Sequence, residues 1–206
     1  MSEDPAAIVT KLDGAIAVIR FNRPLQRNPL SVTTLQELER KLDELTALEE
    51  IAAIIFTGTA DVFASGANIR ELAQLDSASA LQFSRLGQRI FQAVADARHL
   101  TIAAINGYCM GGALDLALAC DIRVASTNAV FAHPGARLGI ITGWGGTQRL
   151  PRIIGRTRAL ELFATAQRFT SPEALLIGLV TRVEDPVLEC AKAKARQPAE
   201  SSKLIP

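Results

Sequence analysis

The segment Ile51–Thr57, read as Ile-Ala-Ala-Ile-Ile-Phe-Thr, is almost wholly apolar, short, and closed by Gly58. A half-exposed strand alternates apolar with polar residues, so an unbroken run of this length is the pattern of a strand covered on both faces. Such a strand demands helices above and below its sheet, and the flanking sequence supplies them. Leu35, Leu38, Leu42, Leu45 and Leu48 recur at three- and four-residue steps before it, and Leu86, Ile90 and Val94 repeat that spacing within about Ala78–Ala97. Thr101–Ile105 is a second buried strand. A third round follows, with a helix from Gly112 to Ala119 and strands near Ile122–Ala125 and Ala129–Ala132. Repeated strand and helix units of this size define an α/β fold with its sheets covered by helices.

The ends of the chain are read from turn chemistry. Ile8–Leu12 and Ile16–Phe21 flank Asp13-Gly14, a strong hairpin signal. Asn22–Leu30 carries two prolines and no period and reads as a loop, after which Ser31, Thr33 and Thr34 offer N-caps. Gly155 precedes a helix around Arg158–Ala166, and Ser171-Pro172-Glu173 starts another that Gly178 ends. Val180–Val183 reads as the last strand. Residues 1–183 thus form the core domain, and residues 184–206 a short tail with a helix near Leu188–Lys194 and a loose end.

Composition removes several functions. The 206 residues are 49% hydrophobic, enough for one sizeable core without metals or disulfides. Lys+Arg at 22 against Asp+Glu at 21 gives a net charge of +1, with no electrostatic case for nucleic acid or an anionic membrane. Cys109, Cys120 and Cys190 have no metal-ligand spacing, and with only His99 and His133 beside them no zinc cluster is expected. The apolar run Leu100–Cys120 contains Asn106, Asp115 and the Gly111-Gly112 pair, which suit a buried strand entering a buried helix rather than a membrane span. The acidic start Met-Ser-Glu-Asp-Pro carries no secretion or import pattern, so a cytoplasmic address is expected.

The chemistry points to two glycine turns, Phe63-Ala-Ser-Gly-Ala-Asn-Ile69 and Asn106-Gly-Tyr-Cys-Met-Gly-Gly-Ala-Leu-Asp115, each following a strand and opening a helix. The first N–H groups of a helix lack internal partners and carry the positive end of its dipole, so they attract anionic oxygen. If the turns meet, the N–H groups of Ala67 and Gly112 can aim at one oxygen, as in an oxyanion hole. Alone, each turn is explained as well by glycines that merely end strands. Neither has the spacing of a dinucleotide fingerprint or a P-loop, and no Gly-x-Ser-x-Gly elbow is present.

Asn22-Arg23-Pro24 with Asn28-Pro29-Leu30, Phe63–Leu72, Asn106–Leu116, Gly143-Trp-Gly-Gly-Thr-Gln-Arg-Leu-Pro151 and Gly178-Leu-Val180 strongly resemble, in this order, the enoyl-CoA hydratase/isomerase family, the crotonase superfamily. The resemblance covers about Ile8–Val183. It implies a crotonase-like spiral of repeated ββα units and an acyl-CoA thioester as substrate, with CoA part of that substrate and no separate cofactor or metal. It places the thioester oxygen between the N–H groups of Ala67 and Gly112. Substrate-binding positions are then Gly66, Ala67, Asn68, Ile69, Arg70, Gly111 and Gly112, with Trp144 as an apolar wall of the acyl pocket. It also implies a homotrimer or hexamer, although residues 184–206 are too few for the family's whole C-terminal helical tail.

Two positions depart from the hydratase pattern. Of the family's two glutamates, the first is matched by Asp115, shorter by one methylene, ~1.5 Å. The second is matched by Gly135, which has no side chain. Asp115 is the candidate catalytic carboxylate, with the helix dipole as its structural explanation. His133 can act as acid or base near neutral pH or serve as a hydrogen-bonded structural residue. Tyr108 and Cys109 are explained by packing, and Arg23 suits a CoA phosphate or a solvated loop. The function expected is enoyl-CoA hydration or isomerisation. The alternatives are decarboxylation or thioester hydrolysis on the same scaffold, or acyl-CoA binding without catalysis.

Overall fold

A computed structural model describes residues 6–197. The hairpin pairs β1 (Ile8–Asp13) antiparallel with β2 (Ile16–Phe21), in register from Ile8 opposite Phe21 to Asp13 opposite Ile16. The loop after it holds a single 3-10 turn at Pro24–Gln26 and a two-residue strand, β3 (Pro29–Leu30). Helix α1 (Val32–Thr46) starts where the sequence offers a cap, since the Ser31 side chain accepts the Thr34 N–H. Then come β4 (Ala53–Thr57), β5 (Val62–Ala64), β6 (Gly66–Ala67), the one-turn α2 (Ile69–Leu72) and α3 (Ser77–Ala95). Asp76 and Ser79 close a reciprocal capping box at the start of α3.

The second half runs β7 (Leu100–Ile105), β8 (Tyr108–Met110), α4 (Gly112–Ala119), β9 (Ile122–Ala125) and β10 (Val130–Ala132), followed by α5 (Gly146–Ile154) and α6 (Arg156–Thr165). It ends with β11 (Phe169–Thr170), α7 (Ser171–Leu176), β12 (Arg182–Val183) and α8 (Val187–Arg196). A six-stranded sheet has the order β1-β2-β4-β7-β9-β12, parallel except for the opening hairpin. A smaller sheet, β11-β10-β8-β5, lies beyond it, and β3 pairs with β6.

Alternation along the large sheet sorts its side chains into two cores. Ala17, Ile19, Ile54, Phe56, Ala103 and Ile105 join the main core under α1, α3 and α4, whereas Val18, Ile55, Ile102 and Ala104 meet Val187, Cys190 and Ala191 of α8. The continuous apolar runs are therefore covered on both faces, and α8 is a structural layer that extends at both ends beyond the short helix expected from sequence. Helix α4 is buried at all eight positions, as a helix apolar all round must be.

Two segments hold structure that local sequence does not signal. Gly143–Pro151 holds most of α5, although Gly143, Gly145, Gly146 and Pro151 oppose a helix locally; packing against α4 and α6 overrides propensity. The glycine turns contain short strands, β5, β6 and β8, which the smaller sheets hold in place. The rest of the expected tail, residues 198–206, lies outside the described residues.

Candidate active site

The first glycine turn is held by the Asn28-Pro29-Leu30 stretch. Asn28 Nδ2 donates to the carbonyls of Val62 and Phe63 at 3.0 and 3.2 Å, the Ser65 N–H reaches the Asn28 carbonyl at 3.3 Å, and Leu30 aligns with Ala67 in the β3–β6 pair. The second turn is held by β10, because the Gly111 N–H donates to the Ala132 carbonyl at 2.8 Å. These two anchors bring the turns together. A Cβ built on Gly66, whose φ is +84°, would lie 2.5 Å from the Met110 carbonyl oxygen and 3.0 Å from the Gly112 nitrogen. Only a residue without a side chain permits that approach. Gly112 opens α4, so its N–H has no acceptor within the helix.

The turns border a cavity of about 600 Å³ whose lining is mainly apolar. Ala67 and Ile69 line it from the first turn, Gly111 and Gly112 from the second, and His133, Thr142 and Trp144 from the long connection between β10 and α5. Gly66, Asn68 and Arg70 are not on this lining: Gly66 is buried between the turns, the Asn68 side chain accepts the Arg70 N–H to cap α2, and Arg70 is exposed. Trp144 packs against the second turn. A Cβ on Gly112 would meet its ring carbons at 2.3 and 2.4 Å, and the indole also packs on Phe83 and Phe91.

Asp115 lies behind the wall rather than on it. It is fully buried, accepts a hydrogen bond from the Thr142 hydroxyl, and has Oδ1 at 3.3 Å from His133 Nε2. The last two atoms are close but not aligned as a hydrogen bond, so each remains buried without a partner. Burial pushes the Asp115 carboxyl up to about 7, held back by the Thr142 hydroxyl, the Arg149 guanidinium and the N–H groups of Trp144 and Gly146. Burial alone pulls His133 down to about 4, so it is neutral at physiological pH. Its ring packs on Phe163 with centroids 4.9 Å apart.

Gly135 lines the cavity, but there is no space there for a side chain. A Cβ at this position would lie 2.6 Å from the Ile140 carbonyl oxygen, and the Ile140 N–H closes the loop onto the Gly135 carbonyl at 3.0 Å. Cys109 is fully buried with its thiol held well above the ordinary range by burial, which suits packing. The Tyr108 ring carries the Arg27 guanidinium 4.7 Å from its centroid. Among the described residues, no group of three or more His, Cys, Asp or Glu side chains is placed to hold a metal ion. No helix among them is long and apolar enough to cross a membrane. Sequence reasoning missed Thr142, because a lone threonine in an irregular stretch gives no signal of the carboxylate it meets.

Comparison with known proteins shows the family to which the chain is similar. Residues 11–205 match the family described as enoyl-CoA hydratase/isomerase. The short-chain-enoyl-CoA hydratase of Clostridium acetobutylicum is 39% identical over 180 residues, 87% of this chain and 69% of that protein. The crotonyl-CoA hydratase of Syntrophomonas wolfei is 39% identical over 183 residues, with the same two coverages of 87% and 69%. Among solved structures, enoyl-CoA hydratase from Bacillus anthracis superposes with a TM-score of 0.88 at 34% identity, over 92% of this chain and 75% of that one. DspI from Pseudomonas aeruginosa superposes with a TM-score of 0.88 at 33% identity, over 95% and 81%.

Proposed function

Given that the chain belongs to the enoyl-CoA hydratase/isomerase family, we propose that it adds water across the conjugated double bond of a short-chain enoyl-CoA through an enolate held by the Ala67 and Gly112 N–H groups. The observation that carries this reading is the meeting of the two turns at the edge of an apolar cavity, so close that a Cβ on Gly66 would lie 3.0 Å from the Gly112 nitrogen. Addition to the double bond drives charge onto the thioester oxygen, where preorganised donors contribute roughly 3–4 kcal/mol each. Asp115 supplies the carboxylate of the reaction, and Gly135 stands where a second acid would be expected. CoA enters as part of the substrate, with no separate cofactor. A soluble cytoplasmic enzyme of fatty-acid metabolism, assembled as a trimer or hexamer, fits the same reading.

The test is the loss of the conjugated thioester absorbance with crotonyl-CoA. Turnover that falls when Asp115 is replaced by Asn is expected; no turnover above background rejects hydration. The closed backbone at Gly135 favours a second reading, decarboxylation or thioester hydrolysis on the same oxyanion site. Product from malonyl-type or aryl CoA thioesters, without hydration of crotonyl-CoA, would establish it.

A further inference from the structure

Building on the proposed hydration, we propose that His133 and Asp115 form one proton-transfer unit in which the imidazole meets the substrate and the carboxylate acts through it. The argument starts from placement. His133 follows Ala132, the residue whose carbonyl takes the Gly111 N–H, so its ring is set beside the start of α4 and on the cavity wall. Asp115 is on the far side of that ring, 3.3 Å from Nε2 and absent from the cavity lining. Asp115 Oδ1 and His133 Nε2 are both buried and unpartnered, and each is the other's available complement. A small rotation that aligns them fixes the proton on Nε2 and leaves Nδ1 as the lone pair facing the cavity. Gly135 has no side chain to compete for this role.

The chemistry then needs one base that becomes an acid. Nδ1 accepts a proton from water as the water oxygen bonds to the β-carbon, the π pair of the double bond shifts to join the α-carbon and the carbonyl carbon, and the carbonyl π pair moves onto the thioester oxygen. The imidazolium, stabilised by Asp115, returns that proton to the α-carbon as the enolate collapses, so the dyad ends as it began. His133 is the catalytic residue and Asp115 a positioning residue. The charged or titratable neighbours are Arg149 on α5, whose charge favours the Asp115 carboxylate, and Cys109 on β8, whose thiol burial and Asp115 hold in its neutral form; Thr142 and Phe163 add no charge. Protonating Asp115 removes the acceptor that selects the useful tautomer, so kcat/KM should fall on the acid side with a midpoint near 7.

The experiment measures crotonyl-CoA hydration against pH for the wild type, His133→Gln and Asp115→Asn, with ¹⁵N NMR of the wild-type imidazoles, of which there are only two. His133→Gln is expected to lower kcat by about 10²–10⁴-fold with little change in KM, and Asp115→Asn to lower kcat and abolish the acid limb. NMR should find His133 protonated on Nε2, a result that does not depend on either variant folding. An Nδ1-protonated ring, or a His133→Gln enzyme with unchanged kcat and pH profile, overturns the dyad while leaving hydration intact. Wild-type protein that neither hydrates crotonyl-CoA nor exchanges the α-protons of butanoyl-CoA with deuterium overturns both.

Discussion

The two walls of the cavity are built from different materials. One is backbone: the turns at Ala67 and Gly112, each held by a short strand pair and brought together by a glycine with no side chain. The other is side chain: His133, Thr142 and Trp144 on an irregular connection, with Asp115 behind them. Backbone donors stay charged-neutral across pH and are positioned by the sheets, so that wall resists change in conditions but tolerates no added atom. The side-chain wall depends on packing, and its protonation is set by burial.

The largest effect should come from the side-chain wall. Trp144→Ala removes an indole packed on Phe83, Phe91 and Gly112, and thermal or denaturant unfolding should show a loss of about 3–5 kcal/mol. Kinetics on enoyl-CoA substrates of increasing length should then favour longer chains, because the emptied space adjoins the acyl cavity; an unchanged preference would mean that Trp144 is only structural.

Asp115 sharpens the contrast through pH. Its folded value of about 7 lies above the ordinary 3.8 of an aspartate, so its contribution is fully present below the unfolded value and lost as pH rises through the folded one. That displacement corresponds to a loss of roughly 4 kcal/mol between about pH 4 and above 7. His133 opposes it at the acid end: its folded value of about 4 is below 6.5, so its contribution is present above 6.5 and lost as pH falls through 4. Denaturant titrations should find that Asp115→Asn removes the loss on the alkaline side, whereas His133→Gln removes the loss on the acid side.

The backbone wall is probed by Gly66→Ala. The new Cβ meets the Met110 carbonyl at 2.5 Å and pushes the turns apart, so kcat should fall by about 10²–10³-fold, as for loss of one oxyanion donor. A variant of full activity would break the comparison. The smallest effect is expected at Gly135: Gly135→Glu should not restore a second acid, because the Ile140 carbonyl occupies its exit, and overpacking should cost about 1–3 kcal/mol of stability without a gain in kcat.

Much of this architecture is legible locally. The runs Ile51–Thr57 and Thr101–Ile105 announce strands covered on both faces, and leucine spacing places α1, because burial patterns follow the period of the element. The gap is greatest around α5. Gly145, Gly146 and Pro151 argue against a helix by propensity, yet contacts with the adjoining α6 and with α4, some thirty residues back in the chain, stabilise one. The site divides in the same way: its glycine turns are visible as turns, while Thr142 gives no local sign of its role.

The sequence by itself determined the α/β class, the order of the main strands and helices, the two glycine bends and the glycine at position 135. Each follows from periodicity, turn chemistry or residue identity, which are properties of neighbours along the chain. Only the tertiary structure decided that the bends meet, that Asp115 faces His133 and Thr142 instead of the cavity, and that the backbone closes over Gly135. These depend on which distant segments exclude water from a group, and it is that exclusion which sets the protonation of the buried pair.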